Sequence, residues 1–204
     1  MTENNFDIII IGAGVSGLIL AYEIIERTNK RVLILEKRKK INLYKNLCFW
    51  NIPQNILTKY AENKWEKICV IINEKKTTLY SDRIKYMRIK SQDVFKFFLE
   101  RLNKHQNFKL LMGQNINYLK KDNNSIIVGT KKIKYKSSIL FDSRIDKDLH
   151  KSKKLIQHFY GAEILFEDEA IDEDEVVLMD LQNNKKDFNF IYMLPYSKKK
   201  VLIE

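Results

Sequence analysis

Apolar and polar positions along this chain change period several times, and the first change is the sharpest. Ile8, Ile9, Ile10 and Ile11 form an unbroken β-branched run, the pattern of a strand buried on both faces of a parallel sheet. Glycines interrupt it at once. The period then lengthens to the helical one, with Leu18, Ala21, Tyr22 and Ile25 on one face of a helix predicted over 16–26. A second strand is predicted over 31–35, apolar from Val32 to Leu35. Between 65 and 79, Ile68, Val70 and Ile72 alternate with Cys69 and Ile71, which predicts strands outside this first unit. Ser91 reads as the N-cap of a helix over 92–103, with Val94, Phe95, Phe98, Leu99 and Leu102 in the core. Short runs at 109–112, 116–119, 126–128 and 133–135, separated by turns such as Lys121-Asp122-Asn123-Asn124, predict an antiparallel meander attached to the parallel sheet. Further strands are expected at 138–141, 176–179, 188–194 and 201–204.

The glycines give the first stretch its chemistry. Gly12, Gly14 and Gly17 stand in the spacing G-x-G-x-x-G between a strand and a helix. In that setting the first glycine permits a tight turn, the second lets a pyrophosphate approach the backbone, and the third lets helix and strand pack closely. The positive N-terminal end of the helix faces the phosphates. Glu36 ends the second strand, 19 positions after Gly17, where a carboxylate accepts hydrogen bonds from adenosine ribose hydroxyls. A glycine turn of purely structural purpose is the bland alternative, but strand, turn, helix, strand and acid all come in order. The candidate cofactor-binding residues are Gly12, Ala13, Gly14, Gly17 and Glu36. Because this is the first βαβ unit of the chain, FAD is favoured over NAD.

Composition narrows the picture. With 204 residues and a 45% hydrophobic fraction, the chain can bury a real core in one large domain or two small ones. Its net charge of +11 is carried by lysines spread along the whole length, and no nucleic-acid-binding signature accompanies them. Such a basic surface suits contact with anionic lipid, and no run reaches the length of a membrane span. Cys48 and Cys69 show no paired spacing, and His105, His150 and His158 no metal-ligand spacing, so no metal and no disulfide framework is expected. A reducing, cytoplasmic location follows, with peripheral membrane association.

Three further segments carry candidate chemistry. Phe49 and Trp50 stand together ahead of Pro53, either in a core or in a substrate pocket. Asp142-Ser143-Arg144 closes the 138–141 strand, and its carboxylate and guanidinium either hold ribityl or phosphate groups or pair with each other. Residues 167–175 hold seven acids in nine positions without the glycine of a cation-binding loop, and read as a solvated, self-repelling loop.

Taken together, GAGVSGLILA with Glu36, CFW at 48–50, FDSR at 141–144, QHFYGAEI at 157–164, LMDL at 178–181, FNFIYMLPYS at 188–197 and VLIE at the end resemble the flavin-dependent lycopene cyclase family in its β-cyclase form. The resemblance runs through the whole chain. It implies an α/β fold, with a Rossmann-like FAD-binding three-layer ββα domain over 1–48 and 86–148. An additional antiparallel-sheet substrate domain would occupy 49–85 and 149–204. The family's chains are longer, so the resemblance also implies an N-terminal half: a truncated product, a split protein or a fragment, with a second chain as a candidate source of the remainder.

The activity implied is cyclisation of the ψ-ends of lycopene to β-ionone rings in carotenoid biosynthesis, on reduced FAD with NAD(P)H as electron source and no net redox change. Protonating a terminal alkene needs an acid held in a dry, apolar tunnel, with its pKa raised by desolvation. In related cyclases an L-x-E motif is associated with that role, and Glu204 matches its acid. An acid on a fraying last residue would keep an ordinary pKa, so the 204 residues alone are expected not to cyclise lycopene. Trp50, Phe190 and Tyr192 offer aromatic faces to a cation or are simply core. The alternatives are an FAD-dependent monooxygenase or prenyl reductase, and an inactive remnant or one subunit of a heteromeric cyclase.

Overall fold

A computed structural model describes residues 4–41, 45–52, 55–144, 157–182 and 188–204. Pro53 and His150 lie outside these. The elements run β1 (Ile8–Ile11), α1 (Val15–Arg27), β2 (Val32–Leu35), β3 (Asn46–Trp50), β4 (Asn63–Trp65), β5 (Lys67–Ile72), β6 (Lys75–Tyr80) and β7 (Tyr86–Lys90). They continue with α2 (Ser91–Leu102), β8 (Phe108–Leu111), β9 (Tyr118–Asp122), β10 (Ser125–Gly129), β11 (Lys134–Ser137) and β12 (Ile139–Asp142). The last four are β13 (Ala162–Leu165), β14 (Glu175–Gln182), β15 (Asn189–Ser197) and β16 (Lys200–Ile203). The chain divides into two units, Met1–Lys45 with Lys90–Lys153, and Asn46–Ile89 with Lys154–Glu204.

The first unit is built on a parallel sheet in the order β8-β2-β1-β12. All four residues of β1 and of β2 are buried, because the sheet is covered on both faces. One layer is helical. Leu18, Ala21 and Ile25 of α1 are buried over β1 and β2, and Tyr22 stacks edge-on to Phe98 of α2 at 5.4 Å. The other layer is the antiparallel meander β9-β10-β11, whose Val128 and Tyr135, with Ile116, pack against Ile9, Ile11, Leu33 and Leu35. Alternate residues of a strand point to opposite faces, so these four define the meander side while Ile10 meets α1 at Gly17. The result is the expected three-layer ββα arrangement.

Two details differ from the sequence reading. The 109–112 run is not part of the meander: β8 is the edge of the parallel sheet, with Phe108 in register with Val32. Ser91 is the first residue of α2, with Lys90 at the N-cap; its Oγ accepts from the Lys45 backbone N–H at 3.1 Å.

The second unit holds a six-stranded sheet in the order β13-β16-β15-β14-β5-β6 and a three-stranded sheet in the order β3-β7-β4. Pairing in the larger sheet is antiparallel except for β14 with β5. Asn73 and Glu74 both adopt positive φ (50° and 63°) in the two-residue turn joining β5 to β6, a conformation that matches the strand twist. Its core gathers Trp65, Val176 and Leu194, with Cys48, Tyr86, Leu178, Tyr192, Tyr196 and Leu202 packed on them. The boundaries fall at 45/46 and 89/90 rather than 48/49 and 85/86. The reason is that residues 46–50 and 86–90 are strands of one sheet, a pairing that no local pattern announces.

The acidic segment 167–175 is largely exposed, but it is tied down rather than self-repelling. Lys198 pairs with Glu169 at 3.2 Å, Lys199 Nζ donates to the Glu167 carbonyl at 2.6 Å, and Lys76 pairs with Glu175. The Trp65 indole N–H donates to the Glu173 carbonyl at 3.0 Å.

Candidate functional site

In the first unit the chain runs from β1 to β2 on one side of the sheet, while β12 pairs on the other. The carboxyl ends of β1 and β12 therefore form a topological switch point, where ligands bind in open α/β sheets. The glycine loop leaves β1 there. Gly12 has φ of +109°, and its N–H donates to the Leu35 carbonyl at 2.8 Å. A Cβ on Gly12 would stand 2.2 Å from Ser143 Oγ, and one on Gly17 would stand 2.3 Å from the Gly12 carbonyl oxygen. Both glycines are fixed by packing within the protein. Gly14 is different: a Cβ there would meet nothing within 4 Å. It is the N-cap of α1, in an extended conformation (φ −73°, ψ 174°), with no side chain capping the helix and no acid in the first turn. An open backbone over uncapped helix N–H groups fits a pyrophosphate.

Glu36 has a second task beyond the one its position predicts. Its Oε2 accepts from the Ala13 N–H and its Oε1 from the Arg38 N–H, both at 2.8 Å. The carboxylate therefore holds the loop in shape. Each oxygen keeps a lone pair for a ribose hydroxyl. Asp142, in register with Ile11 at the switch point, is gripped by Arg144, whose Nε lies 2.9 Å from Oδ1 and whose terminal nitrogen lies 2.6 Å from Oδ2. Those bonds hold the Asp142 carboxyl below its usual range. The other terminal nitrogen of Arg144 donates to the Ile116 carbonyl at 3.2 Å, so the pair also ties β12 to the chain leading into the meander. Ser143, between them, was overlooked as a site residue. Its Oγ donates to the Ile11 carbonyl at 2.6 Å, and it fills the space that makes Gly12 obligatory.

In the second unit, Glu204 does not fray. Its N–H donates to the Tyr192 carbonyl and its carbonyl accepts from the Tyr192 N–H, each at 2.8 Å. Residues paired in this way across antiparallel strands direct their side chains to the same face. That face carries Tyr192, Leu194 and Leu202 and packs on Cys48, Tyr86 and Trp65. On the other flank of Glu204 is Gly161, where a Cβ would come within 2.4 Å of Glu204 Cγ.

The polar groups on this face are linked. The hydroxyls of Tyr86 and Tyr192 are 2.9 Å apart, and Cys48 packs in the same cluster. Burial pushes the Tyr86 hydroxyl up to about 12, and burial, then the bond to Tyr86, pushes Tyr192 higher still. Burial likewise raises the Cys48 thiol. Trp50, 40% exposed, packs on Tyr86 with centroids 4.9 Å apart, so it belongs partly to the packed face and partly to the surface. Phe190 instead joins the exposed rings of Phe159 and Phe188, each 6.2 Å away.

Next to this set lies Arg88, only 5% exposed, a residue the sequence did not single out. It donates to Asn63 Oδ1 (2.8 Å), Asn46 Oδ1 (2.6 Å) and Glu62 Oε2 (2.6 Å), and its guanidinium carbon stacks 3.8 Å from the centre of the Tyr196 ring. The Tyr196 hydroxyl accepts from Asn46 Nδ2 at 2.8 Å. Among the described residues no group of His, Cys, Asp and Glu is placed to hold a metal, and no helix is long and apolar enough to cross a membrane.

A variant of PqsL from P. aeruginosa superposes with a TM-score of 0.70 at 12% identity, over 98% of this chain and 60% of that one. A geranylgeranyl bacteriochlorophyll reductase-like protein from Thermoplasma acidophilum gives 0.66 at 12%, over 98% and 56%. The halogenase PltM in complex with phloroglucinol and FAD gives 0.65 at 10%, over 97% and 51%. The chain thus has the fold of FAD-dependent proteins and spans about 60% or less of the length of these structures. UDP-galactopyranose mutase of Mycoplasma genitalium is 60% identical over 38 residues, covering 19% of this chain and 9% of that protein. The match that reaches beyond shared architecture is to the family described as lycopene cyclase protein: it takes in residues 7–204, from the strand before the glycine loop to Glu204, and the chain belongs to that family.

Proposed function

We propose that this chain is the flavin- and acid-bearing part of a lycopene cyclase, forming β-ionone rings from the ψ-ends of lycopene. The observation that carries this reading is the placement of Glu204. It is locked by two backbone bonds to Tyr192 on an apolar face, within a chain that matches the cyclase family over residues 7–204.

Gly12, Ala13, Gly14, Gly17 and Glu36 would hold the ADP portion of FAD, with Asp142 and Arg144 at the neighbouring strand end toward its ribityl and phosphate groups. Reduced FAD, recharged by NAD(P)H, would supply an electron-rich partner to the cation without net redox change. Glu204 gives its proton to the terminal alkene, which ring-closes as a carbocation and then loses a neighbouring proton back to the Glu204 carboxylate. The faces of Trp50, Tyr86 and Tyr192 are suited to attract the cation until then.

The net charge of +11 and the exposed rings of Phe159, Tyr160 and Phe188 support contact with the membrane that dissolves the substrate.

The test is pigment analysis of lycopene-accumulating cells that express the chain, alone and joined to the remaining length of a lycopene cyclase. Ring-bearing product is expected from the joined protein. Glu204→Gln should lower it by at least about 10²-fold, as for a positioned general acid, with flavin absorbance retained. A hydroxylated or saturated product, with NADPH consumed in step, would assign a monooxygenase or reductase instead.

A further inference from the structure

Two glycines in the three residues 12–14 make the start of the glycine loop free to move, since glycine enters a positive φ without strain and leaves it as easily. The loop therefore depends on bonds from its surroundings. One peptide plane, that between Ile11 and Gly12, is gripped from both sides by different strands. Its N–H donates to the Leu35 carbonyl at the end of β2, at 2.8 Å. Its carbonyl accepts twice from Ser143, the residue after β12: from the hydroxyl at 2.6 Å and from the backbone N–H at 3.2 Å. Because β1 lies between β2 and β12, the two grips oppose each other. Ser143 Oγ also occupies the space beside Gly12 into which the loop could otherwise swing. Asp142, Ser143 and Arg144 are all exposed, so this grip lies at the open end of the switch point and not in the core.

We propose that Ser143 is a positioning residue for the FAD pyrophosphate. Its hydroxyl fixes the Ile11–Gly12 peptide, and through it the course of the Ala13–Gly14 backbone over the uncapped start of α1. The inference rests on the reading that this loop holds the ADP portion of FAD. The fold does not depend on the hydroxyl: without it the Ile11 carbonyl keeps the Ser143 N–H, and β12 stays paired with β1 from Ile8–Ile139 to Ile11–Asp142. What changes is the order of the loop before the ligand arrives, and ordering that is left to the moment of binding weakens affinity.

FAD titration of the purified 204-residue chain, followed by flavin fluorescence, measures the effect. Ser143→Ala is expected to raise Kd roughly fivefold, the size of one hydrogen bond, while the melting temperature of the flavin-free chain hardly moves. Ser143→Thr keeps the hydroxyl and is expected to bind as the wild type does. Hydrogen exchange at the Gly12 amide reads the same peptide plane with no cofactor present. In Ser143→Ala it should quicken, again roughly fivefold, while the Val32 amide, bonded to the Asn107 carbonyl, keeps its rate. An unchanged Kd in Ser143→Ala overturns the inference, whether or not the melting temperature falls, because a hydroxyl that serves the fold alone leaves the affinity of the folded chain as it was. A wild-type chain that takes up no FAD overturns it together with the flavin reading. A chain that binds FAD with the expected dependence on Ser143, yet never cyclises lycopene when completed, supports the inference and counts against the cyclase reading alone.

Discussion

The glycine loop of the first unit and the tyrosine-lined face of the second are built on opposite principles. The loop works through backbone: Gly12 is excluded from carrying a side chain by Ser143 and Gly17 by the Gly12 carbonyl, while Gly14 is open. The face works through side chains from β3, β7, β15 and β16, joined by hydroxyl, thiol and guanidinium groups. A backbone device is specified by neighbours in sequence. A side-chain device exists only after distant strands have met.

The sharpest way to break the second region is Arg88→Ala. It leaves Asn46 and Asn63 carbonyl oxygens without their donor and uncovers the Tyr196 ring, and is expected to cost about 3–5 kcal/mol in urea unfolding. The equivalent attack on the first region is Gly17→Ala. Alanine suits a helix better than glycine by up to about 1 kcal/mol, but a Cβ 2.3 Å from a backbone carbonyl forces the loop off α1, and a net loss of about 2 kcal/mol is expected.

Gly14→Val then sharpens the contrast within the loop. Its extended backbone accepts valine and no atom stands in the way, so the melting temperature of the flavin-free chain should hardly move. FAD binding, followed by flavin absorbance, should be lost. Equal loss of stability in the Gly14 and Gly17 variants would erase the distinction between a ligand-facing and a packing glycine.

A smaller effect is expected at high pH. Folding holds the Tyr86 proton more tightly than the unfolded chain, whose tyrosines titrate near 10. The stability this supplies is complete below about 10 and is lost as pH rises from there toward about 12. Alkaline unfolding of the second unit, read by tyrosinate absorbance, should therefore be steep, and less so in Tyr86→Phe. The smallest change belongs to Arg144→Gln. The Asp142 pair is exposed, so its contribution is a few tenths of a kcal/mol, present at neutral pH and lost on acidification through the depressed range of Asp142.

What the sequence made legible follows the same division. Ile8–Ile11, the three glycines, α1 and Glu36 were readable because each is fixed by a local period or spacing, whereas the three-layer arrangement was implied by the family resemblance. β3, β7 and β13 were not read as strands: they are short, and the partners that make them strands lie far along the chain. Glu204 was marked by resemblance, yet its two bonds to Tyr192 were beyond any local rule, so it was expected to fray. Arg88 was invisible because nothing in YMRIK distinguishes a buried arginine from an exposed one. Gly161, within FYGAEI, carried the one available signal: a glycine at the start of a strand, where a neighbouring backbone or side chain comes close.

The parallel pairing of β5 with β14 also sets a timetable. Its partners lie roughly a hundred residues apart, so the centre of the larger sheet closes only after everything between them has been synthesised. Until Glu175–Gln182 emerges, the β5–β6 hairpin waits with a bare edge and with Ile68 and Cys69 uncovered, exposed to chaperones and to chance pairing with other chains.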